Sequence, residues 1–113
     1  MRSASPASES SRIHEATRAT DGSGAVYKGA ELDETAAIAR RRAGLDVVVC
    51  GDDLRKNYSL AKDVEAAVGV WKQQMPHQQQ AGALALPHFQ QANVMQAGHT
   101  FYETEHRKAR RKP

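Results

Sequence analysis

Apolar positions along this chain change period several times, and each change predicts an element. In "LDETAAIARRRAG" (32–44) Leu32, Ala36, Ile38 and Ala39 make a thin apolar side, Asp33 can cap free amides, and Gly44 offers a left-handed exit, which predicts a short helix. "LDVVVC" (45–50) is a continuous β-branched run, expected as the central strand covered on both faces. "GDDLRKNYSLAKDVEAAVG" (51–69) predicts the clearest helix: Asp52 or Asp53 caps it, Leu54, Tyr58, Ala61, Val64 or Glu65, and Val68 recur at helical spacing, and Gly69 ends it. Its charged side, with Arg55, Lys56, Lys62, Asp63 and Glu65, is expected in water.

"VWKQQMPHQQQAGA" (70–83), rich in Gln and broken by Pro76 and Gly82, reads as a loop anchored by Trp71. "LALPHFQ" (84–90) then alternates as a strand with Leu84, Leu86 and His88 on one side and Phe89 on the other. Pro87, which has no amide hydrogen to give, places that strand at an edge or confines its pairing to one side. "QANVMQAG" is of hairpin length, and "HTFYE" (99–103) returns with His99, Phe101 and Glu103 on one face and Thr100 and Tyr102 on the other. The order predicts an α+β domain with a three-stranded, mainly antiparallel sheet and two helices on one face.

The front changes the picture. Residues 1–27 are dominated by small, polar and charged side chains, with Ile13 as the one large aliphatic residue after the initiator up to Gly24, and are expected as a flexible polar lead. Residues 28–113 would then form a single α+β domain with a basic C-terminal tail. Cys50 is the lone cysteine, so it is expected as a small buried hydrophobe rather than half of an intrachain disulfide. Neither an apolar signal stretch nor a membrane-spanning run is present, so the chain is expected to be soluble with no membrane partner.

Charge is uneven. Residues 31–69 carry eight acids against six bases, whereas 70–113 carry six bases against two acids, most of the bases lying in "HRKARRKP". Arg107, Lys108, Arg110 and Arg111 follow the last strand and are the expected phosphate contacts.

His77, His88, His99 and His106 fall in the last third, but no pair has the close spacing of a zinc knuckle, so neither a metal nor a cofactor is expected. General acid–base chemistry suits them better, because two imidazoles can serve as base and acid around a phosphodiester. RNA carries its own nucleophile in the 2′-hydroxyl. The expected catalytic set is His88 and His99, with Thr100 and Tyr102 as hydroxyl donors. Whether the two rings share a face depends on strand register, which the sequence leaves open. Asp52, Asp53, Arg55, Lys56 and Asn57 cluster after the central strand, but capping and solubility already account for them.

The ending "ALPHFQ…GHTFYETEHRKARRKP" resembles the C-terminal toxin-type domains of bacterial polymorphic toxins, including those behind Rhs/YD-repeat shells. The resemblance rests on Pro87, His88 and Phe89 and on Gly98 to Tyr102, and with "LDVVVCGDDLRKNYSLAKDVEAAVG" spans about Lys28 to Pro113. It implies an effector domain, many of which are nucleases, that acts in the cytoplasm after delivery from another cell as part of a larger protein, and an acidic immunity protein as partner. The combined expectation is a metal-independent, nuclease-like toxin domain acting on RNA. The rival is a non-catalytic adaptor whose basic tail binds nucleic acid or an acidic protein.

Overall fold

A computed structural model describes residues 11–74, 84–93 and 95–111. Its elements are β1 (Arg12–Arg18), β2 (Val26–Leu32), α1 (Glu34–Arg42), β3 (Val47–Cys50), α2 (Leu54–Val68), β4 (Trp71–Gln74), β5 (His88–Gln91), β6 (Thr100–Tyr102) and β7 (Arg110–Arg111). The strands form one sheet in the order β4-β5-β6-β3-β1-β2-β7. It is mixed: β3 runs parallel to β6 and β2 parallel to β7, while the other neighbours are antiparallel.

The fold is therefore α+β with two helices, but the expected three-stranded sheet is corrected to seven strands. The additions come from segments too polar to announce themselves. β1, "RIHEATR", lies inside the expected flexible lead, and only Ile13 and Ala16 of its side chains are buried. Two neighbouring strands satisfy its backbone, which supplies what its own side chains lack. The hairpin of β1 and β2 straddles the expected boundary at residue 27, so residues 11–27 belong with the sheet. β4, "WKQQ", replaces the front of the expected loop 70–83; the rest of that loop lies outside the described residues, as does His77.

Both helices cover one face. Ala37 of α1 and Ala61 and Val64 of α2 pack on Ile13, Val47, Val49, Phe89 and Tyr102. The other face buries Ala16, Val26, Val48, Cys50, Leu86 and Phe101, with Ala109 packed against them. The helix ends follow their capping residues: Asp33 accepts from the Ala36 amide at 2.7 Å, and Asp53 from the Arg55 and Lys56 amides at 3.1 Å.

An ion pair ties the helices to the sheet. Arg41 and Glu65 are both fully buried and joined by two hydrogen bonds of 2.8 Å. Glu65 also accepts from Thr100 Oγ1 at 2.7 Å and from Gln91 Nε2 at 2.6 Å. Arg41 Nη1 donates to the Leu45 and Ala97 carbonyls, both at 3.1 Å. Glu65, expected on the wet side of α2, is thus a core residue, and it can be one because its charge and its lone pairs are all matched.

Candidate functional site

The site begins with the pairing of β5 and β6. Their antiparallel register sets His88 opposite Phe101 and Phe89 opposite Thr100, so continuing it places His99 across from Gln90. Residues opposite each other, and residues two apart, share a face. His88, Gln90, His99 and Phe101 therefore all lie on the side away from the helices. The two imidazoles meet edge to face with centroids 4.6 Å apart, and each touches the Phe101 ring.

Parallel pairing of β3 with β6 adds a residue that sequence reasoning did not single out. Val47 pairs with Thr100, and one step earlier Asp46 stands beside His99. Asp46 Oδ1 accepts the His99 amide at 2.8 Å and lies 3.1 Å from Nδ1 of the ring. On its other oxygen, Arg18 Nε approaches to 3.5 Å. Burial alone would raise the Asp46 carboxyl, but the hydrogen bond and charge of His99, with Arg18, hold it below the ordinary carboxylate value.

The carboxylate fixes the ring. With Nδ1–H donated to Asp46, Nε2 of His99 carries the lone pair, and it makes no hydrogen bond among the described residues. His88 is held differently. Its Nε2 is 2.8 Å from Gln90 Oε1, an acceptor, so that nitrogen carries the proton, and Nδ1 is buried beside the Leu86 carbonyl without a well-formed hydrogen bond. Burial pushes the His88 imidazole below its ordinary value and the neighbouring His99 adds to this, while Gln90, the Leu86 carbonyl and the Asp46 charge oppose it.

These side chains line an open cleft of about 940 Å³ that extends over Ala16, Thr17 and Leu86 to the turn between β1 and β2. Arg18 and Arg40 supply its cations. Arg40 is anchored, donating from Nε to the Asp46 carbonyl at 2.7 Å and from Nη2 to that of Ala16 at 3.3 Å. Arg18 stands at the rim with 60 % of its side chain exposed.

The expected partners of the histidines are elsewhere. Thr100 is fully buried on the helix side and donates to Glu65. Tyr102 is on that side too, packed on Tyr58 and Phe89 and joined to Gln73 at 2.6 Å; burial pushes its phenol up. A strand's alternation forbids either hydroxyl from reaching a group held by His88 and His99. Of the tail, Arg107 donates to the Ala85 carbonyl at 2.6 Å, and Arg110 and Arg111 form β7 on the far edge of the sheet. Lys108 lines a separate small hollow with Leu84 and Arg107. None of the four lines the histidine cleft.

Cys50 is buried, and burial with the nearby Glu103 carboxylate pushes its thiol up to about 12. Asp53 is a helix cap, and Asn57 bridges the Gly51 and Glu103 carbonyls at 2.9 and 3.3 Å. Among the described residues no group of three or more His, Cys, Asp or Glu is arranged to hold a metal ion, and no helix is long and apolar enough to cross a membrane. Compared with known proteins, the chain matches no family, no curated protein and no solved structure.

Proposed function

We propose that this domain cleaves RNA without a metal ion, with His99 as the proton-transfer residue and Asp46 as the group that orients it. The observation carrying this reading is the Asp46–His99 pair opening into a cleft beside a second imidazole. Nε2 of His99 removes the proton of a 2′-hydroxyl, the freed oxygen attacks the adjacent phosphorus, and the 5′-oxygen leaves. The Asp46 carboxylate stabilises the imidazolium that forms, which returns its proton to the leaving oxygen.

Contact between the two rings leaves no space for a phosphate between them, so the substrate approaches both from the open side. Burial works against charge on His88, and two cations at this separation would repel strongly, so His88 takes no proton-transfer role. Arg18 is the cation best placed to meet the phosphate, because it is exposed at the rim and bound on one side only. An effector of this kind works in the cytoplasm, and an acidic immunity protein seated over Arg18 and Arg40 would block it.

Incubating the purified protein with single-stranded RNA in EDTA tests the reading. Cleavage that falls about 10²–10⁴-fold in His99→Ala is expected of a general base. Binding without cleavage, or cleavage unchanged in His99→Ala, removes it, and the former outcome returns the adaptor reading.

A further inference from the structure

The basic tail is held on the sheet instead of trailing into solvent. β7 pairs with β2 so that Arg111 lies beside Lys28 and Arg110 beside Tyr27. Lys28 follows Val26 by two residues, and Val26 packs in the cluster on the face away from the helices. Lys28 and Arg111 therefore belong to the same face as the histidine cleft. Lys108 is close by: its charge and that of Lys28 both reach the Cys50 thiol on that face. None of these three residues, nor Arg110, makes an ion pair among the described residues. Of the acids in the tail, Glu103 spends its oxygens on the Gly51 and Ala109 amides, and exposed Glu105 lies 3.8 Å from His106.

From β6 to β7 the sheet order counts four steps, β3, β1, β2 and β7, which at about 4.8 Å per strand is about 19 Å. We infer that the β2–β7 edge is a second phosphate-binding site, separate from the cleft, that holds the backbone of the same single-stranded nucleic acid whose scissile bond lies at His99. A stacked strand advances about 3.4 Å per phosphate, so the edge meets phosphates about six nucleotides from that bond. The sheet fixes this distance, which a solvated tail would not do. The inference rests on the nucleic-acid part of the proposed function and not on its chemistry.

Its test uses the full chain carrying His99→Ala, which prevents turnover, and fluorescent oligouridylates of four and twenty nucleotides titrated over a salt series. Replacing Lys28, Lys108 and Arg111 together by Gln is expected to lower the slope of log Kd on log salt by about two for the 20-mer, at about 0.7 per lost contact, and to leave the 4-mer unchanged. Circular dichroism checks the fold; if the triple variant does not fold, Lys108→Gln/Arg111→Gln is expected to lower the slope by about one and a half. Equal slopes, an equal loss on the 4-mer, or polyglutamate bound as tightly as the 20-mer would overturn the inference, the last pointing to an acidic protein. Wild-type protein that shows this length dependence but cuts nothing would sink the nuclease reading alone. Cutting of a 20-mer that ignores all three substitutions would sink the edge site alone.

Discussion

Replacing Glu65 by Ala perturbs one carboxylate and exposes the arrangement that holds the domain together. The substitution removes the acceptor for both Arg41 bonds, for Thr100 Oγ1 and for one of the two bonds from Gln91 Nε2. Arg41 is fully buried, so its guanidinium keeps its charge and two carbonyl contacts but loses its counter-ion. Breaking a buried pair from one side costs about 3–5 kcal/mol. A domain of this size has about 5–15 kcal/mol in total, and a loss of this kind spans roughly two to three and a half decades in the folding constant. Urea unfolding followed by Trp71 fluorescence and circular dichroism reads it directly. The expected result is a midpoint shifted far down with a similar slope, and a much smaller loss when Arg41→Met is combined with Glu65→Leu, because then no charge is left alone. A loss below about 1 kcal/mol for Glu65→Ala would mean that water reaches Arg41 and that the pair is not buried as described.

Gly98 adopts φ +94°, and a Cβ there would meet the Gly44 carbonyl oxygen at 2.9 Å and the Arg41 guanidinium, so Gly98→Ala is expected to cost about 2–5 kcal/mol in thermal or urea unfolding and to displace His99. Cys50, with its thiol at about 12, is expected to resist a thiol reagent at pH 8 in the folded protein and to react at once in urea; fast labelling of the native state would contradict its burial. Because the His88 imidazole is held below its ordinary 6.5, the unfolded chain binds the extra proton first, and stability fully present above pH 6.5 is lost as the pH falls below it. Urea midpoints measured from pH 8 to 5 should therefore fall more steeply for the wild type than for His88→Gln, and parallel curves would count against the assignment. The Asp46 carboxyl, held below 3.8, loses its contribution only further down, so Asp46→Asn should flatten the acid limb below about pH 4.

What the sequence made visible were elements that carry their own signal. α1 and α2 were legible from caps and periodicity, β3 from its β-branched run, and the placing of Phe89 opposite to Leu86 and His88 from simple alternation. β1 and β4 were not, because their apolar content is small and neighbouring strands supply most of what holds them. Glu65 and Arg41 look like surface charges until each is seen to neutralise the other, 24 residues apart. The site divides the same way. His88 and His99 stand out by type and spacing, but their shared face follows from a register that no local pattern encodes. Asp46 escaped notice because its contact with His99 spans 53 residues and depends on a parallel pairing between strands expected to be mainly antiparallel. Thr100 and Tyr102 were already on the wrong face by alternation, and that parity outweighs their nearness in sequence to His99.

A DNA oligonucleotide carrying one ribonucleotide, incubated with the protein in EDTA, shows whether a 2′-hydroxyl is the nucleophile. His99 acting on a 2′-hydroxyl predicts a single cut, on the 3′ side of the ribonucleotide, leaving a 2′,3′-cyclic phosphate and vanishing in His99→Ala. Cuts among the deoxynucleotides, or the same cut persisting in that variant, would contradict it.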